Sequence, residues 1–181
     1  MTPRRLAPLS LVAGRAHLKA VVRPALAATT SVWIATANLK QLRVPAPGAG
    51  YHSVLSEFDR LARAGVELRL LHARMPSAPF REAFDRHPRL VAGGLELRMC
   101  PRVHLKCVVV DGQRLYLGSA NWTGAGLGAK SAARRNFELG VVTDDALLID
   151  EVQAYYDQIW RGAACAACGR RELCEAPLDV G

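Results

Sequence analysis

No apolar run in these 181 residues nears the roughly 20 that a helix needs to cross a bilayer, so no spanning segment is expected. Acidic residues are also short, 16 against 24 Lys and Arg, which leaves a formal charge of +8 and a sequence pI near 9.7. That balance favours a polyanionic partner, a nucleic acid or an anionic membrane surface, over an acidic protein substrate. Net charge does not locate the charges, however, and a merely basic surface gives the same sum. Cysteine is scarce and odd in number; five thiols in a chain of this size are no disulfide framework. Internal repeats are missing too. The opening MTPRRLAPLSLVAGRAHLK begins basic and turns briefly apolar. Pro8 and Ser10 interrupt it and Arg15, His17 and Lys19 follow at once, so it reads as an imitation of a signal peptide, and a cytoplasmic location is expected.

What is present is enough for one core: half the residues are hydrophobic. Residues 16–28 read as a helix that Pro24 interrupts, and SVWIATANL (31–39) as a buried strand. QLRVPAPGAGY is a loop by its Pro and Gly. Val54, Leu55, Phe58, Leu61 and Ala62 share one face of a helix that Gly65 ends. VELRLLHA is a second strand, a Pro-punctuated loop leads to a short helix, and LVAGGLELRMCP carries a third strand. HLKCVVVD and QRLYLGSA form a hairpin through Asp111-Gly112, NFELGVVTD is a last strand, and residues 144–160 are a helix with acidic residues at its start. This order predicts an α/β/α layered domain over 1–162, with a mixed, mostly parallel sheet flanked by helices, and a cysteine-containing tail over 163–181.

Within the hairpin, side chains two apart on a strand share a face, so His104 and Lys106 are expected to project together. An imidazole, nucleophilic or proton-transferring, beside a fixed ammonium suits attack on a phosphodiester, the cation offsetting charge on a non-bridging oxygen. Ser119 and Asn121 supply further donors at the end of the returning strand, and Gly118 leaves room for close approach of the phosphate. The chemistry requires no metal. Each residue alone is commonplace; their order is not. His104-x-Lys106, four residues, Asp111, six residues, Gly118-Ser119-x-Asn121 resembles the motif of the phospholipase D superfamily without a gap.

The resemblance runs from about residue 16 to about residue 162 and is to the small bacterial single-motif members, whose representatives are nucleases. It implies that His104 forms a phosphohistidine intermediate and that Lys106, Ser119 and Asn121 hold the phosphate. Asp111 is implied to support the site structurally or electrostatically. Glu138, in NFELG, matches the carboxylate that fixes the tautomer of the nucleophilic histidine, and Asn136 stands beside it. Residues 122–135, WTGAGLGAKSAARR, form a longer insertion than the compact nucleases suggest. In it Lys130, Arg134 and Arg135 are expected to line a backbone groove, with Trp122 as a base-stacking surface; the alternative is a solvated loop around a buried Trp. In the superfamily two motif copies face each other, one histidine attacking and the other protonating the leaving oxygen. With one copy per chain, a homodimer is expected, with an isologous interface through the site.

Cys165, Cys168 and Cys174 follow the last helix. Cys-x2-Cys chelates one ion, a third Cys adds a ligand, and Cys100 beside Pro101 is a better fourth than mid-strand Cys107. A structural zinc is one expectation for this tail; free thiols, a disulfide or an iron–sulfur cluster are the others. Elsewhere, His17, His52 and His87 form no pattern; His72 follows a strand end and could approach the substrate mouth with Arg74, although a surface place is the first expectation. The resulting expectation is a metal-independent phosphodiesterase on nucleic acid, DNA before RNA, with no cofactor for catalysis. Two rivals stand beside it: a phospholipase D or phosphatidyl transferase acting on lipid, and a non-catalytic nucleic-acid-binding module.

Overall fold

The structure is a computed structural model and describes residues 6–45 and 50–178. The MTPRR start and the tip of the expected Pro-Gly loop lie outside those residues. Along the chain come β1 (Ser10–Ala13), a π-helical turn (Leu18–Val22), α1 (Arg23–Leu26), β2 (Ser31–Thr36), β3 (Arg43–Pro45), β4 (Tyr51–Ser53) and α2 (Val54–Arg63). They are followed by β5 (Glu67–His72), α3 (Ala78–Asp85), β6 (Glu96–Met99), β7 (Cys107–Val110), β8 (Arg114–Gly118), β9 (Leu139–Thr143) and α4 (Ala146–Trp160).

Seven strands make one sheet in the order β1-β9-β8-β7-β2-β5-β6, and β3-β4 is a separate small hairpin. Strand alternation divides the side chains between two cores. Val32, Ile34, Leu68, Leu70, Val108, Tyr116 and Val142 pack under α1, α2 and α3 on one face. Ala35, Leu71, Cys107, Val109 and Leu115 pack under Ile149, Tyr156 and Trp160 of α4 on the other. The α/β/α layering and the mixed sheet stand as expected.

The balance of strand directions is a correction. Among the described residues of the seven-stranded sheet only β2–β5 and β5–β6 are parallel, and its other four pairings are antiparallel. A parallel neighbour needs a crossover of a dozen or more residues, which the helical segments between β2, β5 and β6 supply. From β7 to β8 the chain turns back within three residues, at Asp111 (φ 54°) and Gly112 (φ 62°), the left-handed pair of a tight hairpin. Strand β1 was not anticipated: Ser10–Ala13, within the stretch that imitates a signal peptide, is an edge strand, pairing Leu11 with Val141 and Ala13 with Leu139.

Helix boundaries follow their caps. The Ser53 hydroxyl accepts from the Leu55 N–H at 3.1 Å to open α2, and Gly65 at φ 83° ends the segment as a left-handed cap. The Asp145 carboxylate accepts from the Leu148 N–H at 2.8 Å and opens α4.

Candidate active site

The register places the motif along one rim of the sheet. Ala35 pairs with Cys107, Cys107 with Leu117, and Gly118 with Gly140. The residues just past these pairs are Thr36, Lys106, Ser119 and Leu139, on four neighbouring strands about 4.8 Å apart. His104 sits two residues before Lys106, in an extended segment that precedes β7 rather than within a strand. Its ring is exposed and makes no hydrogen bond among the described residues, and a cavity of about 640 Å³ opens beside it against the end of α4. Lys106 is half-buried and its ammonium donates to the His104 carbonyl oxygen at 2.7 Å. Burial lowers the Lys106 pKa from its ordinary value, while the Glu138 carboxylate opposes that shift.

Asn121 is held by one end only. Its side-chain oxygen accepts from the Asn38 N–H at 3.0 Å and from the Thr36 hydroxyl at 3.2 Å, which leaves its amide N–H groups for a substrate. The Thr36 hydroxyl also accepts from the Trp122 N–H at 2.9 Å, so buried Thr36 ties the end of β2 to both residues. Thr36 and Asn38 were not expected here. Their signal is position, polar residues at the carboxyl end of a parallel strand of an α/β sheet.

Glu138 differs from its expected role. Its carboxylate accepts from the Ser119 hydroxyl and, at 2.9 Å, from the Asn136 amide; His104 is not among its partners. Ser119 is locked further, since its Oγ accepts from the Leu139 N–H at 3.1 Å and its own N–H reaches the Leu139 carbonyl at 2.9 Å. Ser119, Asn136 and Glu138 are thus one polar cluster joining β8 to β9, with Lys106 in its electrostatic reach.

Asp111 lies at the other end of β7, five residues beyond Lys106 and so about 17 Å away at about 3.4 Å per residue. Its carboxylate accepts from the N–H groups of Thr29, Thr30 and Ser31 at 2.8–3.0 Å and from the hydroxyls of Thr29 and Thr30 at 3.1 and 3.0 Å. Burial alone raises its pKa, but the backbone N–H groups of Ser31, Thr30 and Thr29 outweigh that and hold it at about 2. Asp111 is a structural anchor remote from the rim, which corrects its place among the catalytic candidates.

Three substrate-contact expectations need revision. Trp122 is 2% exposed and stacks on Phe58, with ring centroids 5.9 Å apart, so it is core and offers no surface for a base. Gly118 makes room for a side chain, not a phosphate: a Cβ there collides with the Tyr116 hydroxyl and comes within 2.7 Å of the Gly140 Cα. The Tyr116 hydroxyl in turn meets His17 Nε2 at 3.0 Å, a buried pair closing the core at the sheet crossing. His72 is buried too, its Nδ1 donating to the Arg74 carbonyl at 2.9 Å, and burial lowers its pKa. Lys130 and Arg134 are exposed and Arg135 is half-buried, on a stretch that starts and ends at the rim. The first half of that insertion is packed instead, with Thr123 and Leu127 buried.

Cys100, Cys165, Cys168 and Cys174 all border one cavity, and Cys107 is buried in the sheet apart from it. Among the described residues no group of three His, Cys, Asp or Glu side chains is arranged to hold an ion. No helix among them is long and apolar enough to cross a membrane.

A family model described as "Cardiolipin synthase, PLD-like domain" matches residues 22–160. No curated protein sequence matches the chain. Among solved structures, NucT from Helicobacter pylori superposes with a TM-score of 0.60 at 17% identity, covering 83% of this chain and 94% of that one. Nuc from Salmonella typhimurium, a phospholipase D family member, does so with 0.58 at 18% identity, covering 84% and 95%. TrmBL2, an archaeal chromatin protein with a novel mode of DNA binding, gives 0.56 at 15% identity over 88% of this chain and 54% of its own.

Proposed function

The chain belongs to the phospholipase D-like domain family, and on that premise we propose that it is a metal-independent phosphodiesterase that cuts nucleic acid internally, DNA before RNA. The observation that carries this is the rim itself: an exposed imidazole without internal partners, a lysine beside it, and an asparagine whose carbonyl is fixed and whose N–H groups are not. His104 Nε2 attacks phosphorus and displaces the leaving oxygen. Lys106 and Asn121 stabilise the equatorial oxygens as charge builds, and Ser119 is oriented beside them by Glu138. Water then attacks the phosphohistidine and returns the free ring.

The leaving oxygen needs a proton, and one motif per chain supplies one histidine. We place the second in another copy of the chain, across an isologous contact. An apolar surface stands next to the rim to make it. Leu11, Val141 and Leu117 share a row of the sheet, Leu139 is on the same face, and α4 leaves the β1–β9 end of that face uncovered. Leu11 and Leu139 are 71% and 55% exposed, and Phe137 projects fully beside Glu138. A contiguous exposed apolar face of this kind marks an interaction site. Phosphate backbone contacts come from Lys130, Arg134 and Arg135.

The same exposed Phe137, among basic residues, supports a second reading in which the rim meets a phospholipid surface. One experiment separates the two. End-labelled single- and double-stranded DNA, RNA and phospholipid vesicles are incubated with wild type and with His104→Ala, in chelator, after folding is checked in the same buffer. Internal cutting of nucleic acid by wild type alone supports the proposal. Turnover of lipid alone overturns the substrate, and a folded dimer that cuts nothing moves the binding-module reading forward. Equal activity in a monodisperse monomer refutes the shared site.

A further inference from the structure

Residues 163–178 leave α4 and fold back over the chain with no buried apolar side chain among them; Leu173 is 75% exposed. A segment without a core of its own needs another source of order. Its half-buried positions are instructive: Cys165, Cys168 and Cys174, with Arg171 and Leu178. Successive tight turns run through these positions. The Cys165 N–H donates to the Gly162 carbonyl at 2.8 Å, Cys168 to Cys165 at 3.2 Å, Arg171 to Cys168 at 3.1 Å and Cys174 to Arg171 at 3.1 Å. Gly162 begins the reversal at φ 77°, where a Cβ would press on Leu178 at 2.6 Å and on the Cys165 Sγ at 3.2 Å.

The tail then meets the turn that carries Cys100. The Cys100 carbonyl accepts from the Val103 N–H at 2.9 Å, and the Arg170 guanidinium donates to the Pro101 carbonyl at 3.1 Å. Cys100, Cys165, Cys168 and Cys174 thereby line a single cavity. We propose that Cys100, Cys165, Cys168 and Cys174 bind one structural Zn²⁺, which fastens the tail to the segment leading to His104.

Two features favour this ion. Four cysteines from a Cys-x2-Cys pair, a third tail position and a distant turn are the donor set of a closed tetrahedral zinc site. Four thiolates around Zn²⁺ carry a net charge of −2, and guanidinium groups of Arg98, Arg102 and Arg170 border the same void to offset it. Arg102 already reaches the Cys168 sulfur at 3.9 Å. The four cysteines line the cavity without their thiols converging on a point, so binding has to draw them together and releases the four thiol protons.

The full-length protein, made in zinc-supplemented medium and purified under reductant, is analysed for metal. About one zinc per chain is expected, with Cys168→Ser/Cys174→Ser losing it and Cys107→Ala keeping it. Should the double variant fail to fold, a mercurial titration of wild type against a zinc-sensitive dye serves instead, releasing one zinc as four thiols react. Removal of the ion should open residues 163–178 to protease while the rest of the chain stays protected. Less than half an equivalent after reconstitution with zinc overturns the proposal, as does iron with visible absorption or a 2 Da mass deficit from a disulfide. None of these readouts involves substrate, so they stand or fall apart from the phosphodiesterase reading.

Discussion

Asp111→Asn separates an anchor from a catalyst. The substitution keeps the shape and tolerates the left-handed backbone at φ 54°, but it removes the charge that three N–H groups and two hydroxyls converge on. Folding holds this carboxyl at about 2 against an ordinary value of 3.8. At 1.36 kcal/mol per pH unit, and discounted for the solvent that reaches the turn, the charge contributes about 1–2 kcal/mol. The sign follows from the depressed pKa. That contribution is complete above about pH 4 and is lost as pH falls through about 2, because only the unfolded chain takes up the proton in between. Urea unfolding of wild type and D111N at pH 7 should therefore differ by about 1–2 kcal/mol, and the gap should narrow at pH 3. Phosphodiesterase kcat of the folded variant should stay within about twofold of wild type, since the carboxylate lies about 17 Å of strand from Lys106. A kcat loss of a hundredfold with unchanged stability would refute the anchor assignment and return Asp111 to the chemistry.

Other expectations can be checked with the same protein. His104→Ala should abolish turnover by at least about 10³-fold while shifting stability by less than about 0.5 kcal/mol in urea titration, because the exposed ring has no internal partner. Trp122→Ala should cost about 3–5 kcal/mol in the same titration, whereas Trp122→Phe should leave DNA affinity in a filter or anisotropy assay unchanged; a selective affinity loss would mean that the ring reaches the substrate after all. Gly118→Ala should destabilise through collision with Tyr116, and a smaller partner in Tyr116→Phe should not rescue it fully, since Gly140 is also in the way. Lys106 acts as its charged form and burial lowers its pKa, so the alkaline limb of a kcat/KM profile should fall below the ordinary lysine range and rise in Lys106→Arg.

The central strands were legible because their cues are local. Apolar β-branched runs bounded by Gly and Pro gave β2, β5 and β7, and Asp111-Gly112 gave the hairpin. Strand β1 was hidden because four residues of alternating pattern after two arginines look alike in a leader and at a sheet edge; only their pairing with β9, about 130 residues away, distinguishes them. Trp122 was misread for a related reason. Its place next to Asn121 suggested the surface, but Phe58 lies 64 positions upstream and no local pattern announces their stacking. The partners of Glu138 were likewise out of reach, since the resemblance that implied His104 says nothing of the β8–β9 register, which brings Ser119 to the carboxylate.

The motif's fixed gaps acquire a physical meaning from this geometry. The four residues between Lys106 and Asp111 are the whole of β7, so the spacing sets the distance from a reactive rim to an anchored turn. The six residues between Asp111 and Gly118 are the remainder of that turn and the length of β8 needed to return to the rim, where the Gly118 N–H donates to the Lys106 carbonyl at 3.2 Å. Because side chains alternate across a sheet, one residue more or fewer in either strand would turn Ser119 to the opposite face and detach it from Glu138. Asp111 holds that register from the far end by tying the turn to Thr29, Thr30 and Ser31, and those residues lead directly into β2, whose other end fixes Asn121 through Thr36. The aspartate thus sets the alignment of two strands from a turn about 17 Å of strand away from Lys106.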